Sequence, residues 1–231
     1  MQNINGKVVI ITGAGSGLGK ETAIAFAKCG ANVVICGREY AKLEEVERYI
    51  TSQYNVKVLP IRADVSSQSD VRMLVQAATA KFERIDILIN NAAVFEQYHI
   101  FESPLDSWEY QITNNATSVF LMIRECLPVM RSQKSGQIIN ITSGLAKEGA
   151  AGFGAYAASK AAIEALSYTV DDEEHKNGIT SHVFNPGAMK TNLVTTGDDP
   201  ANIAPYLVKL AQWQSSSEKK VLQVDHIQKA E

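Results

Sequence analysis

The stretch KVVIITGAGSGLG, residues 7–19, decides the fold class. Its first six residues, Lys7–Thr12, form a β-branched apolar run that predicts a buried strand, and a glycine-rich turn follows directly. The next residues predict a helix, with Leu18 and Phe26 on its apolar stripe and Gly30 at its end. Backbone N–H groups at the start of such a helix, together with its dipole, suit a phosphate group. The segment therefore predicts a phosphate-binding strand–turn–helix unit, with a purely structural tight turn as the alternative.

The same alternation of short strands and longer amphipathic helices continues along the chain. Further strands are predicted at Asn32–Cys36, Lys57–Asp64, Ile85–Asn90, Gln137–Thr142, Thr180–Asn185 and Lys220–Val224. Pro60 predicts that its strand lies at a sheet edge, and a long helix is predicted around Trp108–Met130. The pattern predicts a Rossmann-type, doubly wound α/β fold, in which a parallel sheet of about seven strands has helices on both faces. We expect residues 1–231 to form a single domain, with ligands bound at the carboxyl ends of the strands.

Composition argues against several classes of partner. The formal net charge of −3 over 231 residues gives no electrostatic basis for binding nucleic acid or an anionic membrane. Apolar runs are far too short for a membrane span, and residues 1–10 do not resemble a signal peptide. The three cysteines, Cys29, Cys36 and Cys126, are widely spaced and include no CxxC pair. We therefore expect a cytoplasmic protein with reduced thiols and no metal site.

A second motif, YAASK at residues 156–160, places a phenol and an ammonium one helical turn apart. Tyr156 and Lys160 are separated by four residues, so they share one face of the predicted helix. A neighbouring ammonium favours phenolate and lowers the tyrosine pKa from its usual value of about 10. Tyr156 could then exchange a proton with a carbonyl or alcohol oxygen, and Ser143, at the end of a strand, could hydrogen-bond the same oxygen. The alternative is a solvated Tyr–Lys pair on a surface helix.

In this order, the motifs resemble the short-chain dehydrogenase/reductase family, in its single-domain branch. The matching stretches are TGxxxGxG at 12–19, DV at 64–65, NNAA at 90–93, NNATSVF at 114–120, ITS at 141–143, YAASK at 156–160 and NPGAMKT at 185–191. The resemblance implies hydride transfer between a nicotinamide cofactor and a carbonyl or alcohol, with Tyr156 as general acid/base. It also implies that Lys160 binds the nicotinamide ribose and that Asn115 holds a water beside this lysine. Asn114 is the neighbouring alternative, and the distance of seven residues from Trp108 favours Asn115.

The resemblance implies a complete set of site residues. The catalytic residues would be Asn115, Ser143, Tyr156 and Lys160. The cofactor-binding residues would be Gly13, Ser16, Gly17, Leu18, Gly19, Arg38, Asp64, Val65, Asn91, Ala92, Tyr156, Lys160, Pro186, Gly187 and Thr191. Three features depart from the family pattern: Ala93 stands where glycine is commoner, residues 192–204 leave little room for a substrate lid, and residues 221–231 lack the paired glycines often found after the last strand.

The choice of dinucleotide depends on VVICGREY, residues 33–40. An acid near the end of the second strand is typical of NAD(H) binding, but Cys36 and Gly37 occupy that place. Arg38 follows, and its guanidinium suits a 2′-phosphate. Glu39 is the counter-evidence, although we expect it to lie at the start of the next helix and to face solvent. We therefore predict NADP(H) as the preferred cofactor, with NAD(H) as the second choice.

Substrate and assembly are less sharply defined. The predicted pocket walls, near Ala93–Phe95, Leu145–Ala151, Gly187–Met189 and Leu193, are mainly apolar. 3-Oxoacyl thioesters, sugars, steroids and xenobiotic ketones all remain open as substrates, and a non-catalytic NAD(P)-binding sensor or scaffold is the alternative to an enzyme. The helix that contains Tyr156 is apolar nearly all round, so we expect it to contact a second chain in a homodimer or homotetramer.

Overall fold

The computed structural model describes residues 3–189, 197–213 and 221–228, and its centre is a seven-stranded sheet. The strands are β1 (Val8–Thr12), β2 (Asn32–Gly37), β3 (Val58–Arg62), β4 (Ile87–Asn90), β5 (Gly136–Ile141), β6 (Ile179–Asn185) and β7 (Val221–Gln223). Their order is β3-β2-β1-β4-β5-β6-β7, and every neighbouring pair is parallel. The predicted Rossmann-type sheet is thus confirmed; Lys220, the predicted first residue of the last strand, lies outside the described residues.

Helices cover both faces of this sheet. They are α1 (Gly17–Lys28), α2 (Tyr40–Gln53), α3 (Gln68–Phe82), α4 (Leu105–Ile112), α5 (Ser118–Gln133), α6 (Leu145–Glu148), α7 (Gly154–Glu174), α8 (Pro200–Ala211) and α9 (Val224–Gln228). Because strand side chains alternate in direction, Val9 and Ile11 pack with α1, α2 and α8, whereas Val8 and Ile10 pack with α3, α5 and α7. In the described ranges, no helix is long and apolar enough to cross a membrane.

The order of the strands determines where a ligand groove forms. The chain builds the sheet outward from β1 to β3, then returns to place β4 on the other side of β1. Connections on the two sides leave the sheet in opposite directions, which opens a crevice at the carboxyl ends of β1 and β4. At the far end, β3 is an edge strand, so the Pro60 prediction is confirmed: a residue without an N–H group costs no ladder bond on the outer side.

The predicted long helix around Trp108–Met130 is interrupted. Between α4 and α5 the chain forms a wider π-helical turn at Thr113–Thr117. Asn115 lies in this turn and is completely buried. Such π-helical turns are often found at functional sites, because they redirect one or two residues without ending the helix.

Helix α7 is apolar on more than one side, but only one side is buried within the chain. Ile163, Ser167 and Val170 face the sheet and are buried, whereas Ala161 and Ala165 are exposed. The exposed alanines form an apolar surface of small side chains on the side of α7 that is not buried. The expected contact with a second chain stays a prediction.

Candidate active site

A single groove of about 670 Å³ runs along the carboxyl ends of the strands. The predicted site residues that line it are Gly13, Ser16, Gly17, Leu18, Arg38, Asp64, Val65, Asn91, Ala92, Ser143, Tyr156, Lys160, Pro186 and Gly187. Gly19 and Asn115 are close by but do not line the groove. Thr191 lies outside the described residues, as does Leu193 of the predicted pocket wall. The structure therefore brings nearly all of the predicted residues together in one place.

The glycine turn after β1 requires backbone segments to lie very close to one another. Gly13 has a φ of +66°, and a Cβ there would lie 2.9 Å from the Cα of Ala92. A Cβ on Gly19 would collide with the carbonyl oxygen of Gly13. Gly19 therefore permits the start of α1 to pack against the turn, while Gly13, Ser16 and Gly17 face the groove.

Thr12 joins this turn to the end of β4. Its hydroxyl oxygen accepts hydrogen bonds from the backbone N–H groups of Asn91, at 2.9 Å, and Ala92, at 3.0 Å. The Asn91 side chain donates in return to the carbonyl oxygen of Thr12, at 2.9 Å. These bonds hold the two crevice walls at a set distance. Thr12 was not among the predicted site residues, although it opens the TGxxxGxG motif.

Tyr156 and Lys160 share one face of α7 beside the end of β5. Lys160 is buried, and its Nζ donates to the carbonyl oxygen of Ile141 at 2.9 Å and lies 5.6 Å from the centroid of the Tyr156 ring. The Tyr156 ring also meets Phe95 edge to face, with centroids 5.6 Å apart. Phe95 in turn stacks on Phe153 at 4.6 Å. The Tyr156 ring thus lies against an aromatic pair, Phe95 and Phe153.

Burial dominates the acid–base properties of this pair. It raises the pKa of Tyr156 above its usual value, and a hydrogen bond with Ser143 acts in the lowering direction. Burial also lowers the pKa of Lys160 to about 8. The sequence-based expectation that Lys160 lowers the pKa of Tyr156 is therefore wrong for the protein by itself. The physical reason is that removing a phenolate from water costs more free energy than the interactions with its neighbouring groups contribute.

Asn115 and Asn114 have different surroundings. The Asn115 side chain accepts from the backbone N–H of Val94 at 2.8 Å, and donates to the Val94 carbonyl at 3.0 Å and to the Ser159 hydroxyl at 3.1 Å. It therefore ties the π-helical turn to the segment after β4 and to α7, one residue before Lys160. Asn114 lines the groove, and its amide donates to the Tyr110 carbonyl at 2.9 Å.

Two cations lie at the end of the groove that follows β2. Arg38 is exposed and lines the groove, and a hydrogen bond with Tyr110 raises its pKa. Glu39 directly precedes α2, is exposed, and pairs with Lys42 at 2.7 Å. Lys42 also lines the groove, yet it was not a predicted site residue. Asp64, which follows β3 and also lines the groove, accepts from the backbone N–H and the hydroxyl of Ser66 at 2.9 and 2.6 Å.

Comparison with known proteins assigns the family. The model of the short chain dehydrogenase family matches residues 7–201.

This chain belongs to the short-chain dehydrogenase/reductase family.

Its relatives agree with that assignment. A 12alpha-hydroxysteroid dehydrogenase from a Clostridium species is 37% identical over 196 residues, which cover 82% of this chain and 75% of the relative. A 3-oxoacyl-(acyl-carrier-protein) reductase from Synechocystis is 32% identical over 196 residues, which cover 84% of this chain and 78% of the relative. The crystal structure of a short chain dehydrogenase from Mycobacterium smegmatis superimposes with a TM-score of 0.88 at 27% identity, covering 97% of this chain and 93% of that chain.

The chain is therefore an NAD(P)-dependent oxidoreductase that acts on CH–OH or carbonyl groups. Short-chain dehydrogenases bind NAD(P)(H), and the residues of this groove fit such a dinucleotide. The fit rests on the glycine turn, where a Cβ would fill the space against the opposite wall, and on the polar groups that face the groove along its length. The substrate end is more apolar, with Ala93, Val94, Phe95, Leu145 and Met189 in its lining.

Three side chains of this short-chain dehydrogenase were missed by sequence reasoning. Thr12 and Ser159 form hydrogen bonds with residues that are far away in the sequence. No local sequence pattern therefore predicts them. The Ser159 hydroxyl also donates to the carbonyl oxygen of Tyr156 at 2.7 Å. Lys42 could have been found, because it lies in the first turn of the helix that follows Arg38.

Proposed function

We propose that this enzyme transfers a hydride between NADP(H) and a carbonyl or alcohol substrate, with Tyr156 as the general acid/base. One observation carries the proposal: Ser143, Tyr156 and Lys160 meet at the carboxyl end of β5, on the wall of a groove that fits a dinucleotide. The bound nicotinamide would supply or accept the hydride. Gly13, Ser16 and Gly17 would hold the pyrophosphate, and Lys160 the nicotinamide ribose.

The protein's own contribution is the movement of one proton. During carbonyl reduction Tyr156 would donate its hydroxyl proton to the substrate oxygen, and Ser143 would hydrogen-bond the same oxygen. The raised pKa of Tyr156 favours its protonated form, which is the form a general acid needs. The positive charge of an oxidised nicotinamide would act in the opposite direction and favour the base needed for alcohol oxidation.

Lys160 is suited to pass the proton onward. Its pKa of about 8 lets it gain and lose a proton close to neutral pH. A water beside it would complete a path to solvent, as the resemblance to the family implies for Asn115. Because the Asn115 side chain is engaged with Val94 and Ser159, we propose that such a water is held by a backbone group of the π-helical turn.

The preference for NADP(H) rests on the charges that follow β2. Arg38 and Lys42 both line the groove there, and either cation suits a 2′-phosphate. Glu39, the acid that would favour the ribose hydroxyls of NAD(H), is exposed and paired with Lys42. NAD(H) remains the second choice.

The substrate end supports a ketone or alcohol with apolar bulk. Phe95 and Phe153 stack beside Tyr156, and Val94, Leu145 and Met189 extend the apolar surface. Relatives named for 3-oxoacyl thioesters and hydroxysteroids fall in this range of substrates. We propose both classes, together with simpler ketones, as the first compounds to test. A non-catalytic sensor or scaffold is not favoured, because binding a dinucleotide does not need Ser143, Tyr156 and Lys160 together in one groove.

We also propose a single domain over residues 1–231 and an assembly of at least two copies. Large apolar side chains are exposed on the adjoining helices α4 and α5, with Leu105 67%, Trp108 39% and Phe120 44% exposed. The exposed alanines of α7 offer a further surface. A cytoplasmic location is proposed from the free thiols of Cys29, Cys36 and Cys126.

The direct test is a panel of ketones and alcohols scored by nicotinamide absorbance, with NADPH and NADH run in parallel. The proposal predicts turnover of an apolar ketone, faster with NADPH. No turnover of any compound, despite measurable binding of NADPH, would favour the sensor instead.

A further inference from the structure

Three successive residues at the end of β5 face α7, and the first two are hydrogen-bonded to it. The Ile141 carbonyl accepts from Lys160 at 2.9 Å. The Thr142 hydroxyl donates to the carboxylate of Glu164 at 2.8 Å. Ser143, the next residue, lines the groove together with Tyr156 and acts to lower the pKa of that tyrosine. On the helix, the three partners are spaced by four residues and lie on one face, so one stripe of α7 holds one strand end.

Glu164 is an unusual residue for this position. It is only 8% exposed, and Thr142 is 2% exposed. In the described part of the chain, no ion pair includes Glu164. Burial of a carboxylate without a cation costs free energy, and an apolar side chain of similar size would pack here at lower cost. The hydrogen bond from the Thr142 hydroxyl therefore explains this buried carboxylate better than packing does.

Thr142 is the first residue after β5 and is still hydrogen-bonded to the sheet. Its backbone N–H donates to the Phe184 carbonyl on β6 at 2.9 Å. Beyond it the chain turns away, and Ser143 accepts from the backbone N–H of Leu145 at 3.3 Å. The position of the Ser143 hydroxyl thus depends on how firmly Thr142 is anchored just before the turn.

We propose that Glu164 is a positioning residue: by accepting the Thr142 hydroxyl, it holds the end of β5 against α7 and keeps the Ser143 hydroxyl in reach of the Tyr156 hydroxyl. This role rests on the proposed function of Tyr156 and Ser143. Glu164 itself does not line the groove. Its effect on the reaction is exerted through Thr142 and Ser143.

The kinetic test compares Glu164→Ala, Glu164→Gln and Thr142→Val, with a ketone and NADPH. Small displacements of catalytic groups lower turnover steeply, so we expect Glu164→Ala to lower kcat by about tenfold while KM and NADPH affinity change less than about threefold. Glu164→Gln retains an oxygen that accepts the hydroxyl and should restore kcat to within about threefold of the parent. Thr142→Val should match Glu164→Ala, and the double variant should be no slower than either single one.

Ser167→Ala is the matched control. It removes a buried hydroxyl of α7 that bonds to Ser181 at 2.8 Å and accepts from the Asn140 amide of β5 at 3.1 Å, and neither bond involves Thr142 or Ser143. It should lower thermal stability without lowering kcat. The proposal is overturned if Glu164→Ala keeps the parent kcat, if Glu164→Gln is as slow as Glu164→Ala, or if Ser167→Ala is equally slow. If Glu164→Ala does not fold, Thr142→Val and Glu164→Gln decide by the same criteria.

A measurement without substrate separates this proposal from the proposed function. The hydrogen bond with Ser143 acts to lower the pKa of Tyr156. Ultraviolet titration of phenolate, with Tyr156→Phe subtracted to isolate this ring, should show a higher pKa for Tyr156 in Glu164→Ala than in the parent or Glu164→Gln. An unchanged value would contradict the positioning role, whereas parent-level turnover by Tyr156→Phe would contradict the proposed function alone.

Discussion

Lys160 donates from Nζ to the carbonyl oxygen of Ile141 at 2.9 Å, and both residues are buried. This bond fixes the face of α7 that carries Tyr156 and Lys160 to the end of β5. It also keeps the ammonium buried, and that burial lowers the pKa of Lys160 to about 8. The arrangement therefore joins the stability of the fold to the chemistry of the site.

A first prediction follows for stability and pH. A lysine in an unfolded chain has a pKa of about 10.4, so between pH 8 and pH 10 the unfolded chain binds more protons at Lys160 than the folded chain does. The free-energy cost of burying the Lys160 ammonium is fully present below pH 8. It falls as the pH rises, because the folded protein then loses this proton. Relative to Lys160→Met, the parent's free energy of unfolding should therefore increase by about 1–3 kcal/mol from pH 7 to pH 10.

Urea unfolding at several pH values measures this difference. Lys28→Met, which removes an exposed lysine of α1, is the control for loss of one charge. If the difference in free energy of unfolding between the parent and Lys160→Met stays constant from pH 7 to pH 10, burial does not destabilise the Lys160 ammonium.

The second prediction concerns the dinucleotide. A hydrogen bond to a charged group is worth about 1.5–3 kcal/mol, so Arg38→Ala should weaken NADPH binding by about ten- to a hundredfold and change NADH binding little. Lys42→Ala should act in the same direction. Arg48→Ala, on the exposed side of α2, is the matched control. Titration of both cofactors checks the prediction, and a parent preference for NADH would reverse the cofactor assignment.

The third prediction concerns Gly19, which does not face the groove. A Cβ there would collide with the Gly13 carbonyl and lie 2.6 Å from the side-chain nitrogen of Asn91. Such overpacking costs about 1–3 kcal/mol, so Gly19→Ala should destabilise the fold by that amount. Gly37→Ala, whose Cβ would lie 3.7 Å from Leu43, is the control and should be tolerated. Equal unfolding midpoints for the two variants would argue against the tight turn.

A fourth prediction addresses assembly. Exposed apolar side chains on α4 and α5 and exposed alanines on α7 should be covered by a second copy. Light scattering at micromolar concentration should give at least twice the 25.2 kDa mass of one chain. A species with the mass of one chain would contradict this prediction, because no second copy would then cover these surfaces.

Sequence patterns predicted the sheet well, for a physical reason. Continuous β-branched runs, such as the one ending at Thr12, arise where both faces of a parallel strand are buried, and Pro60 marks an edge because it lacks an N–H group. The sequence motifs also predicted most groove residues, since they lie at strand ends. These features depend on neighbours along the chain.

What sequence reasoning missed depends on distant neighbours. The π-helical turn at Asn115 is tied to Val94, twenty-one residues away, so the local pattern looks like an uninterrupted helix. The raised pKa of Tyr156 follows from burial, which a one-turn spacing to Lys160 does not reveal. Lys42 is the exception, because its position in the first turn of the helix after Arg38 could have been recognised from the sequence.

The most direct test of the central claim is the turnover of Tyr156→Phe, which removes the hydroxyl and keeps the ring against Phe95. Tyr168→Phe, on the same helix but outside the groove, is the matched control. Loss of general acid/base catalysis predicts that kcat for Tyr156→Phe falls by at least about a hundredfold, with NADPH binding retained and Tyr168→Phe at the parent rate. Parent-level turnover by Tyr156→Phe would contradict the account.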